Sequence, residues 1–385
     1  MHIRTRFLAP AAAFVMATFC GHIVAQALVV DPRGGNGVYK TISAALAVAK
    51  HKDTILVQAG DYQETLVIDK GVRILCVHPV RITPVSTPTI GVRIFNIPRG
   101  ERLIIENMSL VGDFIPTAIL ATQNRGPMLL RNCSVSSRTQ LFTDNTRIVI
   151  QDCAGVSFET AFVSGSRIQL ARSTVSFTRS MLAGQAATAT RPSMESILCE
   201  QSSLWLAHST CFGGAGFGNT PPSAAIVTRD SSIVVSHAKS AVGGTKDALI
   251  TTGNVTLTID PGAGLAGSTG GAIVTKRITP TLESLGNSLG SFLQITVNGE
   301  PSAPMGLFFG AIMPPVQLAQ SLTLWLDPST LFAGPAITIG LSGNVSWTFK
   351  IPFDNTLIGA DLAMQSLVVS SKGTDLSNVT TTTLR

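Results

Sequence analysis

Six short segments of the chain repeat one pattern: "LIIENMSL" from Leu103, "MLLRNCSV" from Met128, "IVIQDCAG" from Ile148, "IQLARSTV" from Ile168, "LWLAHSTC" from Leu204 and "IVVSHAKS" from Ile233. They start 25, 20, 20, 36 and 29 residues apart, and a looser copy, "VTLTIDPG", starts at Val255. Repetition on this scale restricts the fold to architectures built by stacking one small unit. The first and third positions are apolar in all six segments, which is the two-residue period of a strand with one buried face. The second position is mixed (Ile104, Leu129, Val149, Gln169, Trp205 and Val234) and is expected to point outward.

The fifth position holds Asn107, Asn132, Asp152, Arg172, His208 and His237. Asn, Asp and His tolerate the left-handed backbone region better than other non-glycine residues, so this column predicts a tight turn that recurs in each repeat. The sixth holds Met108, Cys133, Cys153, Ser173, Ser209 and Ala238, mostly small residues expected to face inward just past the turn. On this alignment Cys133 and Cys153 occupy the same place in successive coils. Coils stacked at about 4.8 Å lie within disulfide range. In-register parallel side chains make the bond awkward, and a small buried thiol fills the column equally well. Strand, turn, strand and variable loop describe a β-solenoid of about eight to ten coils, a rod some 40 to 50 Å long on that spacing. Insertions fall between Val175 and Leu204 and at "FGGAGFGNTPPS" (212–223).

The ends differ from this middle. Residues 1–26 read as an export signal, with His2, Arg4 and Arg6 before an apolar run and small residues near Ala25 to Ala27. No later stretch is apolar for long enough to suggest a further membrane span. Removing two arginines lowers the net charge from +6 to about +4, a mild excess. With no Lys/Arg-rich run and no aromatic–basic platform, nucleic acid is not expected as a partner. From Ala27, Ile42, Ala45, Leu46 and Ala49 have helical spacing, with Thr41 as N-cap, and such a helix would cover the first coil. The repeat fades near Gly270. The expected organisation is a solenoid over 27–278, a linker over 279–291 and an antiparallel β-sandwich over 292–385, where apolar strands alternate with Gly/Pro/Asn turns.

The N-terminal motifs, Asp31, the Gly34-Gly35 turn, "YKTISAAL" and "AGDYQETLVI", resemble the right-handed parallel β-helix superfamily, the pectin lyase-like fold. Gly60, Tyr62 and Glu64 are similar to the Gly-x-Tyr-x-Glu signature of pectin esterases. The resemblance implies an all-β chain: a right-handed parallel β-helix with an N-terminal capping helix, followed by the small antiparallel β-sandwich. The last strands are similar to C-terminal modules of secreted bacterial proteins. The esterase pattern continues here as Asn132-Cys133, "SRTQLF", Asp152-Cys153 and "ETAFVSG". Thr139 and Ala161 stand where the resemblance calls for the catalytic aspartates, while Asp144 and Glu159 are nearby but out of register. An esterase needs an acid and a nucleophile on adjacent coils.

Other candidates are ligand-binding. Arg147 and Arg167 each precede an apolar triplet and are expected to stack on adjacent coils, with Arg125 near the same corner, and arginine pairs well with planar carboxylates. Trp205 offers an outward ring for a sugar, or packs under the insertion that precedes it. His208 and His237 share the turn column without a ligand cluster, so neither metal nor cofactor is expected. Asp113, Asp144, Asp152 and Asp230 are scattered and form no column. The functional expectation is an exported, secreted or surface-located module that binds extracellular polysaccharide or acts as a scaffold without catalysis. The alternative is an esterase, lyase or hydrolase on uronic-acid polymers.

Overall fold

The computed structural model describes residues 27–84, 90–111, 117–136, 147–189, 192–237, 239–319, 322–357 and 359–384. The export signal, Asp113, Thr139, Asp144 and Ala238 lie outside the described residues. Among the described residues the architecture is all-β with one short α-helix and a single 3-10 turn at Asn355–Leu357. Parallel strands stack into a solenoid whose second sheet contains eight strands, one for each coil from Leu66–Ile68 to Leu249–Thr252. The stacking begins where Ala27–Val30 pairs parallel with Thr54–Val57 and that strand pairs with Arg73–Ile82.

The capping helix is Ile42–Val48, with Ile42, Ala45 and Leu46 buried and Thr41 accepting from the Ala44 N–H at 3.1 Å. The Gly60-Tyr62-Glu64 signature has a structural explanation in this chain. Glu64 accepts from the Ile42 and Ser43 N–H groups, each at 2.8 Å, at the positive end of the helix. Tyr62 is buried and donates to the Gln58 carbonyl at 2.9 Å. At the other end Lys70 donates to the Leu46 and Ala49 carbonyls. The signature therefore anchors the cap.

All twelve residues at the first and third repeat positions are buried. All six turn-column residues have positive φ, from 48° at Arg172 to 77° at His237. The six segments nevertheless belong to two sheets. Those starting at Leu103, Met128, Leu204 and Ile233 lie in the long sheet, whereas those at Ile148 and Ile168 lie in the second. In the long sheet Met128 pairs with Val156, which pairs with Val175, which pairs with Leu204. The left-handed column there is Asn107, Asn132, Thr160, Arg179, His208 and His237, and a second column runs through Gln123, Asp152, Arg172, Gln201 and Asp230. The same device serves both sheets, so the twenty-residue step from Met128 to Ile148 crosses from the long sheet to the second, whereas the step from Ile148 to Ile168 is a true coil repeat.

Cys133 and Cys153 are consequently not stacked. The coil neighbour of Cys133 is Ala161, since the Phe162 N–H donates to the Cys133 carbonyl at 3.0 Å. Cys153 heads a different stack in which its N–H donates to Ser173 Oγ, Ser173 N–H to Ser202 Oγ and Ser202 N–H to Ser231 Oγ. Cys76, Cys133, Cys153, Cys199 and Cys211 are all free and buried.

The strand Thr281–Leu285, within the stretch read as a linker, pairs antiparallel with Phe292–Asn298, which pairs with Asn344–Lys350. A second sheet joins Phe332–Thr338, Pro304–Gly310, Asp361–Ser370, Gly373–Leu376 and Thr380–Thr383. Leu293, Ile295 and Val297 of the first sheet share a core with Met305, Leu307 and Phe309 of the second, which makes a sandwich. A hairpin, Ile312–Ala319 with Leu322–Leu326, reaches the solenoid: a Cβ on Gly155 would lie 2.3 Å from Pro315 and 3.0 Å from Trp325. Ile104 and Leu129, expected outward, are buried at 2% exposure each because the sandwich covers their face.

Candidate functional site

On the outward side of the long sheet, Glu106, Arg131 and Glu159 are register partners on three successive coils. Each immediately precedes a left-handed residue: Asn107, Asn132 or Thr160. Arg131 Nε lies 3.1 Å from Glu159 Oε2 and its Nη1 lies 3.6 Å from Glu106 Oε2. The final strand of the sandwich closes over them. The Thr381 N–H and hydroxyl donate to Glu159 Oε1 at 3.0 and 3.2 Å, and Arg131 donates to Thr383 Oγ1 at 2.9 Å and to Thr381 Oγ1. Burial opposes the charge on Arg131, but Glu159 and then Glu106 outweigh it and raise its pKa. An ion cluster this deep persists only when its charges are paired and hydrogen-bonded.

The same polarity runs along the docking surface. Arg73 donates to the Gly359 carbonyl and to Asp361, and Arg102 Nη2 lies 3.0 Å from Asp361. Farther along, Arg179 donates to the Ser284 carbonyl at 3.2 Å. His208 sits between Thr281 Oγ1 at 3.1 Å and Glu283 Oε1 at 2.8 Å, and His237 stacks on its ring at 3.8 Å. The bond from His208 holds the Glu283 carboxyl below its usual range, while burial and then His208 push His237 down to about 4. At the far end Arg277 Nη2 pairs with Asp375 Oδ1 at 2.9 Å. The solenoid supplies these arginines and histidines, and the sandwich supplies most of their partners.

Beside this surface a groove of about 330 Å³ opens between the long sheet and the sandwich. Its floor follows one register line: Trp205, Val234, Thr258 and Thr275 on four successive coils. Ser203, Ser232 and Thr256 line it from the adjoining outward positions. Gln317, Thr323, Trp325, Lys372 and Asp375 form the facing wall. The Trp205 indole N–H donates to Ser236 Oγ at 2.8 Å, which fixes the ring. Hydroxyls that donate and accept, beside a fixed indole, can hold a polyol by hydrogen bonds and ring contact. By contrast, the space inside the solenoid around Met108, Leu130 and Phe158 is only about 10 Å³, a packing gap.

Of the residues singled out in the sequence, only Trp205 reaches the groove, and it faces the sandwich instead of the insertion before it. Arg147 and Arg167 are register partners on adjacent coils of the second sheet, with Arg167 Nε 2.8 Å from Glu195. Arg125 is exposed, three residues beyond the end of Thr117–Thr122, whereas Arg147 pairs with Thr117 at that strand's start. The three arginines thus occupy opposite ends of the strands and form no single ladder. Ala161 is buried in the solenoid interior. Glu159, set aside as out of register, is the outward carboxylate of its coil. The signal that locates it is the charged residue directly before the left-handed turn on three successive coils (Glu106, Arg131 and Glu159), once Met128 is aligned with Val156.

Among the described residues, no group of three or more His, Cys, Asp or Glu side chains is disposed to hold a metal ion. No family model matches the chain, and no curated protein does. Solved structures similar to it include two pectin methylesterases. One is pectin methylesterase PemA from Erwinia chrysanthemi, at 14% identity and a TM-score of 0.32, over 63% of this chain and 81% of that chain. The other is a pectin methylesterase in complex with hexasaccharide VII, at 13% identity and a TM-score of 0.32, over 67% and 81% respectively.

Proposed function

We propose that the chain is a secreted or surface-located module that binds polysaccharide in the groove between solenoid and sandwich without cleaving it. The observation that carries this reading is the division of labour on one face. The open groove is lined by hydroxyls and Trp205, while the carboxylates Glu106 and Glu159 are bonded to Arg131 and buried under Thr381 and Thr383. Hydrolysis of a glycosidic bond ordinarily needs two carboxylates flanking the bond, and ester hydrolysis needs an acid and a nucleophile that reach it. Among the described residues that line the groove, Asp375 is the sole carboxylate, and it is already paired with Arg277.

The test is a glycan panel incubated with the whole purified chain, scoring retention and product release together. Retention of at least one polysaccharide without release of sugar, alcohol or unsaturated ends is the expected result. Turnover of any glycan would transfer the argument to the enzyme reading. That reading would then require the sandwich to lift from Glu106 and Glu159.

A further inference from the structure

We propose that the groove selects a neutral, hydroxyl-rich glycan over a polymer of uronic acids, an inference that rests on the glycan-binding reading above. Its first support is the fate of the arginines on this side. Arg131 is held by Glu106 and Glu159, Arg179 by the Ser284 carbonyl and Arg277 by Asp375. Among the described residues of the lining Lys372 is the remaining cation; it is exposed, and its Nζ donates to the Lys276 carbonyl at 3.3 Å. A uronate polymer brings one carboxylate with every sugar, and a single solvated lysine offsets little of that charge.

The second support is Asp375. It is 2% exposed and lines the groove, and apart from the ion pair to Arg277 neither carboxylate oxygen accepts a hydrogen bond. A buried acceptor without a donor is unfavourable, and a sugar hydroxyl supplies the donor. A second carboxylate supplies none and is repelled. The third support is the floor: Ser203, Ser232, Thr256, Thr258 and Thr275 offer hydroxyls, which match neutral polyols and cannot neutralise an anion.

The experiment is calorimetric titration of the full chain with neutral gluco-, galacto- and xylo-oligosaccharides and with oligogalacturonate of equal length, repeated with Asp375→Asn. At least one neutral oligosaccharide is expected to bind about tenfold more tightly than the uronate. Asp375→Asn releases Arg277 and is expected to narrow that ratio several-fold. Tighter binding of oligogalacturonate, or a ratio unchanged by Asp375→Asn, would overturn the selectivity and leave glycan binding standing. Binding of neither class would remove both.

Discussion

Arg131 and Glu159, on adjacent coils, form an ion pair at 3.1 Å with side chains 10% and 0% exposed, and the last strand of the sandwich is bonded to both. Deleting the cation leaves Glu106 and Glu159 buried without their shared partner. Arg131→Met is therefore expected to destabilise the chain by about 3–5 kcal/mol, read as a lower urea midpoint. Adding Glu106→Gln and Glu159→Gln to that variant should recover most of the loss. An unfolding free energy within about 1 kcal/mol of wild type for Arg131→Met alone would show that the cluster does not hold the two parts together.

Thr160 holds φ at 55° although its side chain is β-branched. That conformation is unfavourable for such residues, and the same position in the preceding coil is Asn132 at 51°. Thr160 is exposed, and its N–H donates to the Thr178 carbonyl, a bond that any non-proline residue can keep. Thr160→Asn is expected to stabilise by about 1 kcal/mol. A decrease in melting temperature would contradict the strain.

His237 titrates at about 4 in the fold, against 6.5 for the free side chain. Its ring faces His208, Glu283 and Lys239, and its Nδ1 accepts from the Lys239 N–H at 3.1 Å. A depressed histidine pKa means that the unfolded chain takes up the proton first as pH falls. Its contribution is therefore complete above about pH 6.5 and is lost progressively toward pH 4. Between about pH 7.5 and pH 4.5 the wild type should lose more thermal stability than His237→Asn. Parallel pH curves for the two proteins would contradict this.

Burial pushes the thiols of Cys133 and Cys211 up to about 12 and that of Cys199 up to about 11, and raises those of Cys76 and Cys153 as well. A thiol that is both protonated and covered does not react. Maleimide labelling followed by peptide mass analysis should find these five unmodified in the native chain and all modified after denaturation. Rapid native labelling of any one, or a Cys133–Cys153 disulfide peptide, would contradict the packing.

Much of the solenoid is legible in the sequence, because its rules are local. Alternation at Leu103/Ile105 and Leu204/Leu206 marks the buried face, and Asn107, Asn132 and His208 mark the turns. Register is harder to read. The strands of both sheets bury alternate residues and both enter a left-handed turn, so Ile148 of the second sheet matches Met128 of the long sheet by pattern while lying on another face. A twenty-residue step hides the ion cluster, since Glu159 aligns with Arg131 only when the step is 28 residues. The groove depends on a more distant fact. Trp205 meets its facing wall through Thr323 and Trp325, more than a hundred residues later, and no local pattern states where that hairpin lands.

On this reading Trp205 and the hydroxyl floor bind glycan. The most direct measurement is the affinity of Trp205→Ala for whichever oligosaccharide the wild type retains, with the urea midpoint of each protein as control. Loss of about tenfold or more in affinity at a midpoint near that of wild type is the expected result. Unchanged affinity in Trp205→Ala would contradict the account and place the binding site elsewhere on the molecule.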